Sequence, residues 1–477
     1  MTFDSPEYTA RLRKPFKPPQ VTLKQIHDAV PKHLLKKNAF LSSSYIVRDV
    51  GMCAALFLFA AHIPTISQTL ANVIRVPADN EWLVRASLWL SYWWWQGIVF
   101  AGFFCIAHEL GHHALFDSWY ANNIPGFLLH SFILAPFFAW KASHNAHHKT
   151  VGNIEKDENY VPFTRQHYNL PPQERARRAD YKEILEETPL YTAASMLVMQ
   201  FLGWQLYLRF FALLRVPSES KLAHVQLAAV PTPWDPHDIP KEPTTSLRIR
   251  LSLLKNNARK GILASDIALA SMLSLLFLAG QHYGWMKVLM MYGPPYLLCN
   301  HWIVLVTYLH HSDPSIPHYR KGEWSFLRGA AATVDRPVLG WIGRFFFHNV
   351  SHDHVAHHFF SGIPFCEEDN SLIRTVADGK ITSTTDNLEE VTRAIRGVLG
   401  DDYNYDSTNS FYALYRSFTQ CVFIEDEGDI VFYKNVEGEA QRMLAKDSIV
   451  TTIQPKSLDD APKIVVVTGD HEEVMQD

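Results

Sequence analysis

The chain has 477 residues, of which 47% are hydrophobic, 13% aromatic and only 19% charged. Ordinary soluble domains are roughly 25% charged, so this composition excludes a disordered chain and a coiled coil and favours a membrane protein. The formal net charge of −4 gives no support to nucleic-acid binding, and five scattered cysteines form neither a disulfide framework nor a CxxC zinc site.

The N-terminal residues 1–50 carry nine Lys and Arg side chains against four Asp and Glu. Thr22 can cap an amphipathic helix, and Pro31 bends or ends that helix. We expect a cytosolic N-terminal segment whose helix lies on the bilayer surface or on the protein body.

Four apolar runs each approach the roughly 20 residues needed to cross a bilayer. They are residues 51–71, 86–107, 262–280 and 287–309. Short polar loops join the first run to the second and the third to the fourth, which predicts two transmembrane hairpins within a membrane domain of residues 51–368. The predicted fold class is an all-α integral membrane protein with four transmembrane helices.

Two further apolar stretches are expected to lie in or near the interface. Residues 124–140 are too short for a comfortable span, and residues 189–214 contain polar side chains such as Arg209.

Positive charge predicts the orientation. Residues 1–50 and 215–260 are rich in Lys and Arg, whereas the loops inside the two hairpins hold few. Both termini are therefore predicted to be cytosolic. The histidine motifs described below then fall on the cytosolic side, in a helical cap.

The C-terminal part is too polar to span a membrane. Residues 369–440 are expected to hold a cytosolic helix at 387–399 and a small β-hairpin at 421–435 that turns near Gly428. Residues 441–477 are expected to be a loosely ordered tail.

Histidine is the unusual feature of the composition, because sixteen of the 24 histidines fall within residues 108–148 and 301–358. Three motifs, HELGHH (108–113), HNAHH (144–148) and HVAHH (354–358), place imidazoles on one face of a helix, where they can bind one metal. With a histidine at the end of the last span, the candidate metal ligands are His108, His112, His144, His147, His148, His311, His354, His357 and His358. Eight or nine nitrogen ligands suit two ions rather than one.

The histidine motifs alone are also compatible with two other classes of protein. HELGH fits the HExxH pattern of zinc proteases, with Glu109 as the general base. Catalytic zinc, however, takes three protein ligands, which leaves at least five histidines of the motifs unexplained. The other class is a non-catalytic metal-binding membrane protein.

Two polar residues near the motifs, Asp157 and Asn349, are candidates to orient ligating imidazoles. Each could accept a hydrogen bond from the ring N–H that a metal leaves free.

Longer stretches around the histidines carry further specific sequence: WKASHNAHHKTVGNIEKDENYVP (140–162), VTYLHHSDPSIPHY (306–319), EWSFLRGAAATVD (323–335), FHNVSHDHVAHHFFSGIP (347–364) and VLGDDYNYD (398–406). In these stretches the sequence resembles the membrane-bound fatty-acid desaturases, particularly the Δ12 (oleate) type of fungi and plants. The resemblance covers roughly residues 15–435.

The resemblance implies an endoplasmic-reticulum membrane enzyme in which the nine histidines above hold two irons. Dioxygen would be the co-substrate, and electrons would come from a separate cytochrome b5 and its reductase. The substrate would be a fatty-acyl lipid or acyl-CoA that gains a cis double bond, with oleoyl to linoleoyl as the leading reaction. His348, in the motif FHN, is implied to support the ligands.

Five positions near the motifs depart from the family pattern and are candidates to determine the product. Leu110 stands where a small residue or cysteine is usual, and His310 where glutamine is usual. Ser351, His352 and Asp353 stand where the family commonly has an Asp-Thr or Glu-Thr pair. A divergent acetylenase, conjugase, hydroxylase or epoxygenase acting on the same acyl chain is therefore the alternative.

Overall fold

The computed structural model describes residues 3–157, 159–213, 256–365 and 387–445. Over these ranges the chain is mostly helical. Helices α1 to α15 are, in order, Pro6–Arg13, Leu23–Ala29, Ala39–Val73, Glu81–Gly111, Trp119–Phe132, Phe137–Thr150, Arg178–Leu185, Pro189–Leu213, Asn256–Tyr283, Trp285–His311, Phe326–Ala331, Trp341–Phe346, His354–Phe359, Asn387–Leu399 and Ser410–Gln420. Strands β1, His318–Tyr319, and β2, Ile430–Val431, form an antiparallel pair.

Each predicted span lies inside one long helix: 51–71 in α3, 86–107 in α4, 262–280 in α9 and 287–309 in α10. Helix α4 packs against α3 and α10, and α8 packs on α10. The C-terminal half of α4 is buried almost without interruption, so α4 and α10 form the centre of the bundle.

Three described helical stretches are long and apolar enough to cross a bilayer: Ala39–Val73, Ala78–Gly111 and Arg259–Tyr283. Helices α5 and α6 together would make a fourth, but they meet at 109°, as in a broken span or a re-entrant loop. Helix α10 has 27 residues, but Trp, Tyr, Pro and His side chains lower its hydropathy. The structure thus fits a helical membrane protein, and the arrangement of four spans stays a prediction.

A short helix, α2, lies within the predicted N-terminal stretch and packs on the protein body. Thr22 caps α2 through its hydroxyl, which accepts from the Gln25 N–H, and α2 ends before Pro31. Ile26 and Leu34 are fully buried in the main core, where α2 contacts α14.

The C-terminal elements partly match the prediction. Helix α14 covers the predicted residues 387–399, and one antiparallel bridge joins Phe423 to Lys434 across the expected turn. Strand β2 pairs with β1 rather than within a longer hairpin.

The predicted loose tail is ordered where it begins, because the Ala445 N–H donates to the Phe16 carbonyl at 2.9 Å. Residues 446–477 lie outside the described residues, as do 369–386 and most of 215–260.

A buried ion network joins the two ends of the chain beneath the bundle. The Arg336 guanidinium contacts Asp406 Oδ2 at 2.6 Å and also pairs with Asp313, and Arg416 pairs with the same Asp406 oxygen. Arg11 of α1 donates to the Ser315 hydroxyl at 2.7 Å. The network therefore ties α1 and α15 to the loop that follows α10.

Breaking this network should destabilise the fold. Burial opposes ionisation of Asp406, but Arg336 and Arg416 outweigh burial and hold the pKa of Asp406 below its ordinary value. Asp406→Asn leaves two buried guanidinium groups undercompensated and should cost about 3–5 kcal/mol of unfolding free energy. The measurement is thermal unfolding of the detergent-solubilised chain followed by circular dichroism.

Asp401→Asn is the matched control, because its pair with Lys14 is exposed to solvent and should contribute little to stability. The pKa of Asp406 is lowered in the native state. The stability that its carboxylate contributes should therefore be complete above the ordinary pKa of about 4 and should decline as the pH falls below that value. Equal unfolding temperatures for both variants and the wild type would contradict the prediction.

Candidate metal centre

Four helix ends carry the histidine motifs to one place. The first motif ends α4 and continues to His112, the second lies on α6 and the third on α13. His311 is the last residue of α10. All nine predicted ligands meet there, in two adjacent clusters.

Five imidazoles form the first cluster, within which the candidate nitrogen atoms all lie within 4.8 Å of one another: His108, His112, His144, His148 and His357. The Nε2 atom of His144 is 2.8 Å from Nε2 of His108 and 3.0 Å from Nε2 of His148. Two nitrogen ligands bound about 2.1 Å from one ion at a right angle are separated by about 3.0 Å. The observed spacing therefore fits ligands that share an ion.

The second cluster contains His147, His311 and His358, under the same 4.8 Å limit. His354 adjoins it, because its Nε2 is 3.0 Å from Nε2 of His311 and 3.1 Å from Nε2 of His358. The rings of His148 and His358 stack with centroids 4.2 Å apart, which joins the two clusters. This arrangement fits two neighbouring ions.

An imidazole must be neutral to bind a metal, and burial favours the neutral form of several of these rings. Burial lowers the pKa of His357 to about 3. Burial, reinforced by the neighbouring histidines, also holds the pKa values of His112, His354 and His358 well below the ordinary value.

Several ring nitrogens are buried without a partner among the described residues. They include Nε2 of His112, His147 and His357. A buried polar atom without a hydrogen bond costs about 1–3 kcal/mol. Bound metal would satisfy these atoms, so the donor set fits two ions that favour nitrogen ligands, of which iron is one.

Two buried carboxylates orient the rings. Both oxygens of Asp157 lie 3.0 Å from Nδ1 of His147, where the sequence predicts an orienting group. Glu109 Oε1 lies 2.8 Å from Nδ1 of His108 and 3.6 Å from Nδ1 of His357, so it links the first motif to the third. Helical periodicity does not bring adjacent residues onto one face, so the sequence alone does not indicate that Glu109 orients the ring of His108.

The position of Glu109 does not favour a zinc protease. Its carboxylate binds Nδ1 of His108, whereas Nε2 of the same ring faces the cluster. A general base must reach the proton of the attacking water, which requires a carboxylate on the metal side of the ligand.

Two of the product-determining candidates occupy different surroundings. The His310 ring stacks on His354 with centroids 4.1 Å apart, and its Nδ1–H donates to the Val334 carbonyl at 2.5 Å. Leu110 instead faces α5, since a Cβ built on Gly126 would lie 3.3 Å from the Leu110 Cβ. Only His310 of this pair contacts the clustered histidines.

The three candidates before the third motif contact the neighbouring loops. The Ser351 hydroxyl donates to the Arg336 carbonyl at 3.2 Å and lies 3.2 Å from Nδ1 of His352. Asp353 accepts from Arg344 at 3.3 Å. These contacts shape the entry to α13 rather than the metal-facing side.

The other two predicted supporting residues also bind elsewhere. His348 Nε2 contacts Asp49 Oδ2 of α3 at 2.7 Å, and Asn349 accepts from Arg344 at 3.1 Å. These contacts tie the two residues to α3 and α12, respectively.

A mainly apolar cavity lies between α4, α8 and α10 and reaches the clusters. His108, His144, His311 and His354 line one end of it. Most of the remaining wall is apolar or aromatic, with side chains such as Phe104. A cavity with this lining suits an apolar ligand.

Two aromatic rings at this end of the cavity are absent from the sequence predictions. Trp140 stacks on His144 with centroids 4.7 Å apart, and Tyr160 stacks on His311 at 4.2 Å. Trp140 lies four residues before His144 on α6, a spacing that places both rings on one helical face. Tyr160 lies outside α6, and nothing in its spacing predicts its contact with His311.

Glu109→Gln should weaken metal binding. The amide keeps the size of the side chain but loses the charge that orients two ligand rings, and such changes cost about 10–100-fold in metal affinity. Metal retained by the purified chain under a graded chelator challenge measures the effect. Glu81→Gln, at the opposite end of α4, is the control, and retention equal to that control would contradict the assigned role.

The comparisons with known proteins agree with this site. Residues 87–367 match the family model described as fatty acid desaturase. The chain is 33% identical over 421 residues to a Delta(12) fatty acid desaturase of Mortierella alpina, covering 87% of this chain and 91% of the relative. It is 32% identical over 431 residues to a Delta(12)-fatty-acid desaturase of Arabidopsis thaliana, covering 89% and 94%.

An oleate hydroxylase of Claviceps purpurea is similar to the same extent. It is 31% identical over 439 residues, covering 88% of this chain and 82% of the relative. The family match together with this likeness over most of the chain shows that the protein belongs to the fatty acid desaturase family and is an oxidoreductase that acts on fatty acyl chains.

Proposed function

We propose that the protein is a diiron enzyme of the endoplasmic-reticulum membrane that inserts a cis double bond at position 12 of an oleoyl chain. The observation that carries the proposal is the junction of two buried histidine clusters with a mainly apolar cavity. The Delta(12) names of the relatives from Mortierella and Arabidopsis support the position of the bond.

The cavity would hold the acyl chain with one segment beside the clusters. The described residues that line the cavity include no Asp, Glu, Lys or Arg side chain, which would bind a methylene chain poorly. The depth of the cavity beyond the clusters would therefore select the carbons that react.

When bound, iron would supply the oxygen-dependent oxidation of an unactivated C–H bond. In the overall reaction, two hydrogens from the acyl chain and two electrons with two protons from outside reduce one dioxygen to two waters. Glu109 and Asp157 hold protons on the Nδ1 atoms of His108 and His147, leaving their Nε2 atoms free as ligands. The surrounding apolar side chains exclude water, which protects the reaction from side products.

The proposed topology places four spans in two hairpins, with residues 51–368 as the membrane domain. The positive charge of residues 1–50 and 215–260 supports cytosolic termini. A relative from Brassica juncea is named as an endoplasmic-reticulum omega-6 fatty acid desaturase, which supports the membrane proposed here. Electrons would come from a separate cytochrome b5 and its reductase.

Hydroxylation at the same carbon is the second candidate. The oleate hydroxylase of Claviceps purpurea and an oleoyl-12-hydroxylase of Ricinus communis are both similar to this chain over most of its length. The departure at His310, which contacts the third motif, is the structural feature that favours keeping this candidate.

Product analysis separates the two candidates. The full chain is expressed in a host that makes oleate but no linoleate, and new lipids are identified by mass spectrometry. We expect a 9,12-diene. A hydroxylated chain would support the second candidate, and no new lipid despite confirmed expression, iron and electron donor would contradict both.

His310→Gln should change the ratio of the two products. The substitution removes the ring that stacks on His354 beside the cavity, and contacts of this kind discriminate by about tenfold or more. We expect the alkene-to-hydroxyl ratio to shift by about that factor. The control is His301→Gln, on the same helix, whose ring packs on Phe201 and Phe411. A ratio equal to that of the control would contradict a role for His310.

A further inference from the structure

The helix that carries the third histidine motif has no local cap. Helix α13 has six residues, and its N-cap residue, Asp353, makes no side-chain hydrogen bond to the first turn. The Asp353 carboxylate instead accepts from Arg344. The first N–H groups of a helix need partners from elsewhere when no local side chain supplies them.

Asp335, which lies eighteen residues before Asp353 in the sequence, supplies such a partner. Asp335 is fully buried, and its Oδ1 accepts from the backbone N–H of Val355 at 2.7 Å. Val355 lies between the ligands His354 and His357. This bond therefore fixes the position of the turn from which three of the nine imidazoles project.

The C-terminal segment holds Asp335 in place. The Tyr403 hydroxyl donates to Asp335 Oδ2. The backbone N–H of Asp335 donates to the Asn404 carbonyl at 3.0 Å, and the Asp406 N–H donates to the Asp335 carbonyl at 3.0 Å. Residues 403–406 thus make hydrogen bonds to both the side chain and the backbone of Asp335.

These residues lie outside the segment that matches the family model, which ends at residue 367. They belong to the motif VLGDDYNYD (398–406), to which neither the metal centre nor the cavity assigns a role. Helix α14, which precedes this motif, contacts α13 and buries Val391 and Ile395 in the main core.

We infer that Asp335 and Tyr403 are positioning residues for the third histidine motif, and that the C-terminal segment thereby controls how firmly the two clusters to which this motif contributes hold their metal. The inference rests on the proposed metal centre but not on the acyl reaction. Tyr403 supplies the hydrogen bond that orients the Asp335 carboxylate, and Asp335 supplies the cap that α13 lacks.

The test measures metal release rather than activity. The full-length chain is purified in detergent, loaded with iron(II) and mixed with excess chelator, and release is followed by absorbance. Tyr403→Phe removes one hydroxyl and should release iron about tenfold faster than the wild type. Tyr405→Phe is the matched control, because that hydroxyl makes no hydrogen bond within the described residues, and it should release iron at the wild-type rate.

Asp335 provides a second, graded pair of variants. Asp335→Asn retains an oxygen for Val355 and an amide for the Tyr403 oxygen, so its release rate should stay within a few-fold of the wild type. Asp335→Ala removes the cap and should release iron faster than Tyr403→Phe. Circular dichroism at the assay temperature confirms that each variant keeps its helix content, and a variant that loses helix content is replaced by the other member of the series.

The outcomes are distinguishable. Wild-type release rates from Tyr403→Phe and Asp335→Ala, with iron bound by all chains, would overturn this inference and leave the metal centre intact. Failure of the wild-type chain to bind iron would overturn the metal centre and this inference together. Iron retention that follows the predicted order supports the inference whatever acyl product the enzyme makes.

Discussion

Nine imidazoles gathered into two adjacent clusters, with several pairs of ring nitrogens about 3 Å apart, are the feature on which the rest of the structure depends. Without metal, such a group would be an unfavourable collection of buried and partly unpaired polar atoms. The chain must therefore keep the rings close together and keep them in the correct tautomers, and it must do so with segments that are far apart in sequence.

Long helices and buried charges meet this requirement in different ways. Helices α4 and α10 bring their last residues to the same level, and α6 and α13 lie beside them. Glu109 and Asp157 hold individual rings from behind, as is usual for metal-bound histidine. The ion network around Arg336 and the cap from Asp335 then connect the same loops to both ends of the chain. The terminal segments are therefore part of the support of the site.

The sequence predicts the parts of this arrangement that depend on local spacing. The apolar runs, the capped helix after Thr22, and the shared cluster of His144 and His148 all follow from local spacing, whereas His147 of the same motif lies in the second cluster. Contacts between distant segments do not. Glu109 reaches His357, and Tyr403 reaches Asp335, only because of how the helices pack. The same reason explains why Leu110, adjacent to the first motif in sequence, faces α5 and not the histidines.

The proposed metal centre is tested by the number, identity and positions of the bound metal ions. Elemental analysis of the purified chain, combined with anomalous diffraction at the iron absorption edge, would give all three. The account predicts two iron ions per chain, one among His108, His112, His144, His148 and His357 and the other among His147, His311, His354 and His358. A single ion, or ions bound away from these histidines, would contradict it.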